Sequence, residues 1–458
     1  MDMRGPAAGA AASAVAPSPV RAGLGELLHL AGPVVASRLG VMTMGLTDVV
    51  VVGRHSAVQL GYLALGWTLA SVVVVTAIGL LSGVQVMASR ALGEERPDQA
   101  GAVLRRGLVY AFWIGAVAMV AMIGGGPAFL CVSGIALGLA DGATAPLVVL
   151  ALSMPSFALS VAAGSWMESL CRPRPVMIFM WGANIVNLAV NLVLVPGALG
   201  LPPLGAVGAA CATFCARSLL TLATLIYIAR MPDARALGVF EKPARDRPRE
   251  IEQRRIGYGA GASGFFEVAA FASMTLIAGS IGALVVAAYT VVLNVVSFVF
   301  MVPLGMATAT AVLVARAYGA GRPAALNRAA FLGFGVTGLF AVAAALVVWP
   351  AARLIAQGYA TDPATVLMAS GGLVLACLFL IPDALQVVVA QSLRARGDVL
   401  VPTLTHLASY ALVMIPLGWF LAIRLHLAVG GIIWAITGAS FLSAGLLLGR
   451  FSMLARRD

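Results

Sequence analysis

The stretch Leu378–Asp398, LFLIPDALQVVVAQSLRARGD, holds a single acid, Asp383, inside an apolar run that stops at Arg394 and Arg396. Asp383 precedes Arg394 by 11 residues. At ~1.5 Å per helical residue that is roughly 16 Å, about half of a ~30 Å hydrocarbon core. Read as a membrane helix, the segment sets its carboxylate near the midplane. GASGFFEVAAFASM has the same form, with Glu267 lying a little over three helical turns beyond Arg255. Carboxylates at that depth are costly in hydrocarbon and by default mark function.

The rest of the composition agrees with a membrane setting. The chain has 458 residues, 61% hydrophobic and 10% charged, against about 25% charged in soluble proteins. Too few charges remain to coat a soluble core. The net charge of +11 comes from arginines in the short gaps between apolar runs, without the interleaved aromatics of a nucleic-acid face. A positive-inside bias accounts for it. Five cysteines, Cys131, Cys171, Cys211, Cys215 and Cys377, show no metal-binding spacing.

Twelve apolar runs predict twelve transmembrane helices, at about 27–53, 60–88, 104–125, 144–170, 176–195, 205–230, 255–280, 284–315, 328–350, 364–393, 401–423 and 430–450. A short interfacial helix is expected at 129–139. Alternate gaps are rich in arginine: Arg90, Arg96, Arg105 and Arg106, then Arg172 and Arg174, then Arg316, Arg322 and Arg328, then Arg394 and Arg396. The opposite gaps hold Arg54, Arg353 and Arg424. The arginine-rich gaps and both termini are therefore expected in the cytoplasm. Residues 1–24 read as a disordered cytoplasmic tail, 25–230 as an N-lobe, 231–254 as a polar cytoplasmic loop, 255–450 as a C-lobe and 451–458 as a second tail.

An internal repeat supports that division. Ser71, Gly79, Arg90, Ala91, Gly93, Arg96, Pro97 and Gly107 match Ser297, Gly305, Arg316, Ala317, Gly319, Arg322, Pro323 and Gly333, every pair at one constant offset in the numbering. Six spans per half is even, so both halves begin on one face. The repeat is parallel, about an axis along the membrane normal. Two such six-helix lobes enclose a central cleft, and rocking them gives alternating access.

The chain has one lysine, Lys242, in a setting that excludes a Walker-A loop. Coupling to an ion gradient remains as the energy source. Buried carboxylates suit either ion, since burial favours their protonated form and paired oxygens ligate a hard cation such as sodium. Asp48 lies six residues before Arg54, roughly 9 Å inside the far edge of the core. Arg38 and Arg217 read either as counter-ions within a lobe or as snorkelling side chains. Glu168 lies one turn from Arg172 and is expected to pair there. Asn187 and Asn191 share a helix face by their spacing and serve either interhelical bonding or a polar cavity.

The chain resembles multidrug and toxic compound extrusion transporters of the NorM-type branch over about residues 25–450. The likeness rests on TMGLTDVVVVGRHSA, on VMASRALGEERPDQA and its echo VARAYGAGRPAAL, on FFEVAAF, on LNVVSFVFMVPLG and on IPDALQVVVAQSLRARGD. The resemblance implies an all-α, V-shaped pair of six-helix bundles. It further implies export of cationic amphipathic compounds against inward H+ or Na+ across a bacterial inner membrane. It places Asp48, Asn187 and Asn191 in an N-lobe cavity, and Glu267, Asn294, Phe300 and Asp383 in a C-lobe cation site where sodium is one candidate occupant. This sequence departs from the pattern at Arg38, where relatives often carry glutamine. It departs again at Phe379, where tyrosine is common, and at Asn191, where another branch has aspartate. Substrate preference at Arg38 and cation ligation beside Phe379 are where it would differ.

Other classes fit less well. A lipid-linked precursor flippase of the same superfamily needs basic cavity residues, and only Arg38 and Arg217 qualify. A major-facilitator transporter would carry a different loop from GEERPDQA. An intramembrane transferase needs clustered acids of DDxxD type, which are absent. No enzymatic activity, no cofactor beyond the coupling ion and no nucleic-acid partner are expected, and the transporter is expected to act as a monomer.

Overall fold

The computed structural model describes residues 23–132, 137–241 and 246–457. The expected tail up to residue 22, Lys242 and the side chain of Cys131 lie outside the described residues. The described chain is helical throughout, as the hydrocarbon requires when each backbone N–H and C=O must be satisfied within its own segment. The helices are α1 Leu24–His55, α2 Ala57–Gly93, α3 Pro97–Val132, α4 Leu137–Leu152, α5 Met154–Ser169, α6 Arg174–Leu194 and α7 Gly205–Arg230. After the connection come α8 Arg247–Ile281, α9 Ala283–Gly319, α10 Pro323–Tyr359, α11 Pro363–Ala395, α12 Leu400–Arg424 and α13 Ala428–Ala455.

Among the described residues eleven helices are long and apolar enough to cross a membrane, and the pair α4 and α5 makes up to twelve. The run expected at 144–170 is thus one span bent by 40°. Pro155 sits at the start of α5, lacks a backbone N–H and cannot continue the preceding helix. Hydropathy sees the apolar run and not the bend. Of the interfacial helix expected at 129–139, residues 129–132 belong to the end of α3 and 137–139 to the start of α4, and 133–136 lie outside the described residues.

The connection between lobes is also shorter than the expected 231–254. Asp246 caps α8 by accepting from the Arg249 N–H at 3.2 Å, so 247–254 are already helical. The turns before it are packed, with Ala234, Leu237 and Val239 buried. The Leu237 carbonyl accepts from Gly101 N–H at 2.8 Å, and Arg105 Nε donates to the Val239 carbonyl at 2.6 Å. At the far end α13 runs on to Ala455, beyond the boundary expected at 450.

Helices α1–α7 and α8–α13 form two lobes. They meet where the second helix of each lobe crosses the first helix of the other. Gly79 of α2 lies against Gly261 of α8, and Gly305 of α9 lies against Val35 of α1, with no room for a side chain at either glycine. Small residues let such crossings approach closely. Val35 and Gly261 are separated by the same offset as Gly79 and Gly305, so one pseudo-two-fold operation relates the two crossings. The backbone obeys it too: left-handed φ values occur at Glu95 and Gly321, and at Cys171 and Gly397, again at that spacing. These contacts sit toward the arginine-rich ends of the helices, called the basic end below. From there the lobes diverge as a V around a central cleft.

Candidate functional site

In the N-lobe, α1 carries Asp48 into a polar nest and leaves it fully buried. Asn187 and Asn191, one turn apart on α6, donate through Nδ2 to Asp48 Oδ1 at 3.0 and 2.7 Å. Thr213 of α7 donates to Oδ2 at 2.6 Å. Both carboxylate oxygens therefore receive donors. Arg217, one turn beyond Thr213, is the positive charge nearest in electrostatic terms to Asp48. It is buried, donates to Ser153 Oγ at 2.8 Å and stacks over Phe157 at 4.7 Å and Trp67 at 5.5 Å. Ser153 is the residue at the α4–α5 bend, so the bend also presents this acceptor. Arg217 is thus held inside the lobe and does not snorkel.

In the C-lobe, Asp383 of α11 is buried and Glu267 of α8 partly so, each within electrostatic reach of the other. Gln386, one turn beyond Asp383, donates to Glu267 Oε1 at 3.4 Å. Tyr410 of α12 donates to Asp383 Oδ1 at 3.4 Å. Oε1 of Gln386 is buried with no hydrogen-bond partner among the described residues, leaving a neutral oxygen beside the two acids. The site thus offers a proton two carboxylates, or a hard cation three or more oxygens. Among the described residues no group of three His, Cys, Asp or Glu is spaced to hold a metal on its own.

In the N-lobe a second pair of charges links the first span to the fourth. Arg38 Nη2 of α1 reaches Glu168 Oε1 of α5 at 3.4 Å. The expected Glu168–Arg172 pair does not form; Arg172 instead meets Asp233 at 2.7 Å, because Glu168 faces into the lobe and is buried. Arg394, the repeat counterpart of Glu168 by number, is buried toward the basic end of α11 and forms no ion pair with Glu267.

Directly beyond these charges the lobes are clasped. Arg90 donates through Nε and Nη2 to the Ala395 carbonyl at 3.0 and 2.9 Å and reaches the Arg394 carbonyl at 3.4 Å. Arg316 donates to the Ser169 carbonyl at 2.7 Å. Ser169 and Ala395 stand at the repeat offset, as Arg90 and Arg316 do. Glu252 pairs with Arg90, and Glu26, its repeat counterpart, faces Arg316.

Of the expected site residues, Asp48, Asn187 and Asn191 come together, as do Glu267 and Asp383. Asn294 is exposed and donates to the Thr290 carbonyl of its own helix at 2.8 Å. Phe379 is buried in the C-lobe core, and Phe300 packs beside the core near the lobe boundary. Sequence reasoning missed Thr213, Gln386 and Tyr410. Gln386 shares a helix face with Asp383, a signal that was available; Tyr410 stands on a different helix and gave none.

The MatE family model matches residues 33–193 and 260–420, one segment in each lobe. A probable multidrug resistance protein NorM of Caulobacter vibrioides is 58% identical over 440 residues, 96% of this chain and 93% of that one. A protein of the same description from Aromatoleum aromaticum is 30% identical over 87% of this chain and 86% of its own. Among solved structures, an outward-facing multidrug resistance MATE family transporter of the MOP superfamily superposes with a TM-score of 0.87 at 16% identity, covering 97% of this chain and 98% of its own. A eukaryotic MATE transporter gives 0.84 at 20% identity, covering 94% and 97%. With a repeated six-span lobe matched in each half and a relative 58% identical over nearly its whole length, the chain belongs to the MatE family.

Proposed function

We propose that this protein is a multidrug efflux antiporter that exports cationic amphipathic compounds in exchange for inward H+ or Na+. The observation that carries the reading is the Glu267–Gln386–Asp383 constellation in one lobe of a family member clasped at its basic end. The relative from Caulobacter, described as a probable multidrug resistance protein, supports the substrate class. The basic end faces the cytoplasm of a bacterial inner membrane, consistent with the positive-inside rule. The unit of transport is the monomer.

Two carboxylates in a poorly solvated site repel one another, and one bound proton or sodium ion relieves that repulsion. Occupancy then biases the lobes between two arrangements in proportion to its differential affinity for them. The cavity arginines do not favour a pyrophosphate substrate, since Arg38 is held by Glu168 and Arg217 faces Asp48. The test is efflux of ethidium from proteoliposomes under proton and sodium gradients imposed separately. One gradient should drive concentrative efflux, and Glu267→Gln with Asp383→Asn should abolish it while the protein still inserts. Wild-type ion dependence in that double variant would overturn the reading.

A further inference from the structure

At the end of the C-lobe opposite the clasp, the turn from α10 to α11 holds an open cavity of about 510 Å³. Arg353 and Gln357, one turn apart on α10, line it together with Thr361, and Val366 and Leu367 of α11 form its apolar side. The helix sets its depth in the membrane. Arg353 lies about seven helical turns beyond Arg328, roughly 38 Å at ~5.4 Å per turn and more than the ~30 Å of hydrocarbon. The cavity therefore stands at the headgroup level of the far leaflet. Trp349, one turn inward of Arg353 and exposed, belongs to the aromatic belt of that interface. Leu346, Leu354 and Leu367 are exposed around it, where acyl chains cover them.

The polar groups of the cavity are unspent. The side chains of Arg353, Gln357 and Thr361 make no hydrogen bond or ion pair among the described residues. Asp362 stands at the rim, between the lining residues Thr361 and Pro363. Its Oδ2 accepts from the Thr365 N–H at 2.9 Å and from Thr365 Oγ1 at 2.7 Å, and Oδ1 takes part in neither bond. One unpaired guanidinium and one half-used carboxylate thus meet lipid at headgroup depth. A guanidinium with an amide and a hydroxyl beside it suits a phosphodiester. A free carboxylate oxygen suits a primary ammonium, which has three N–H groups to donate. We propose that this cavity binds a glycerophospholipid with an ethanolamine headgroup, its phosphate on Arg353, Gln357 and Thr361 and its ammonium on Asp362. A wholly anionic headgroup would set like charge against Asp362, and a choline headgroup has no N–H to give it. The inference rests on the membrane setting of the chain and is independent of the antiport reading.

The test is native mass spectrometry of the full chain released from nanodiscs made of equal parts ethanolamine, glycerol and choline phospholipids with identical acyl chains. The lipid held longest on collisional activation should be enriched in the ethanolamine class over the bulk ratio. Arg353→Gln should lower that enrichment about fivefold, the worth of one arginine at a lipid surface. Asp362→Asn keeps the helix cap, which asparagine serves as well as aspartate. It should erase the preference for ethanolamine over choline while phospholipid is still held. Arg54→Gln, which removes another exposed arginine at the far interface, should leave the enrichment as it is in wild type. An equal loss in Arg54→Gln and Arg353→Gln would reduce the effect to general surface charge and overturn the proposal. So would a wild type that holds the choline or glycerol lipid as well as the ethanolamine one. Displacement of the lipid by millimolar soluble glycerophosphoethanolamine would assign the cavity to a soluble phosphodiester and overturn it too. Efflux is no part of this readout, so each of these failures leaves the antiport reading standing.

Discussion

Gly93 and Gly319 end the two helices that cross at the lobe boundary, and each seats on the other repeat's arginine. A methyl on Gly93 would land on the Arg316 carbonyl oxygen, nearer than a carbon can stand, and a methyl on Gly319 would land likewise on the Arg90 carbonyl oxygen. Gly93→Ala within either lobe alone is favourable, since alanine exceeds glycine in a helix by about 0.8–1.0 kcal/mol. Across the boundary it forces the basic ends apart by about 1 Å, the shortfall from ordinary carbon–oxygen contact. That movement takes the Arg90 bonds to Ala395, now 3.0 and 2.9 Å, beyond hydrogen-bonding range. Two bonds from a charged donor contribute about 1.5–3 kcal/mol each. The Glu252 pair, whose acid is 45% exposed, adds under about 1 kcal/mol. Taking the lower bound of about 3 kcal/mol, the open-to-closed ratio at the basic end rises roughly a hundredfold. Distance distributions between labels at Arg96 and Arg322 measure it, with thermal stability as a control for folding. A Gly93→Ala protein whose distribution matches wild type would refute the reasoning, because the clasp would then tolerate the added methyl.

Thr213→Val removes the donor to Asp48 Oδ2 and should cost about 1.5–3 kcal/mol, read as a lower Tm and as weakened ethidium efflux. Glu95 is exposed and holds a left-handed φ of 58° where the second repeat has Gly321; Glu95→Gly should stabilise by about 1 kcal/mol, measured by thermal unfolding in detergent. Asp362 caps α11 through Thr365, whose side-chain and backbone bonds hold its carboxyl below the usual aspartate range. Its contribution is present above the unfolded value near ~3.9 and lost as pH falls through the folded one. Amide exchange at Thr365 and Val366 should therefore be faster in Asp362→Ala than in wild type at neutral pH, and the two should converge in acid.

Most of the architecture was legible in the chain because hydrocarbon leaves few options. Apolar runs become helices, and arginines collect at one end. The echo between the halves gave the repeat and its axis. The limits have equally physical causes. Hydropathy reports where lipid is, so it truncated α8 at Arg255 although the Asp246 cap starts the helix about two turns earlier. It also passed over the bend at Ser153, which changes direction without changing composition. The carboxylates were conspicuous because charge is rare in such a chain. Their partners were not, since Thr213, Gln386 and Tyr410 are ordinary in membrane helices and become a site only when three or four helices are brought together. Glu168 misled through a short-range rule: an arginine one turn away lost to Arg38 on a helix distant in sequence, because Glu168 points inward and Arg172 does not.

The paired crossings give the lobe boundary the logic of an isologous dimer joined by a tether. Patch i meets patch j, and j meets i: Gly79 with Gly261 and Val35 with Gly305, Arg90 with Ala395 and Arg316 with Ser169. A surface of that kind is self-complementary, and two identical six-span units would assemble through it without a connecting segment. The present halves are not interchangeable in that way. Two N-lobes would bring Glu168 and Arg38 to both sides and no acid to the position of Glu267; two C-lobes would lack the Arg38–Glu168 pair and the Asp48 nest. Placing different charges in the two halves therefore does for this chain what a distinct partner does for a heterodimer: it makes each half need the other.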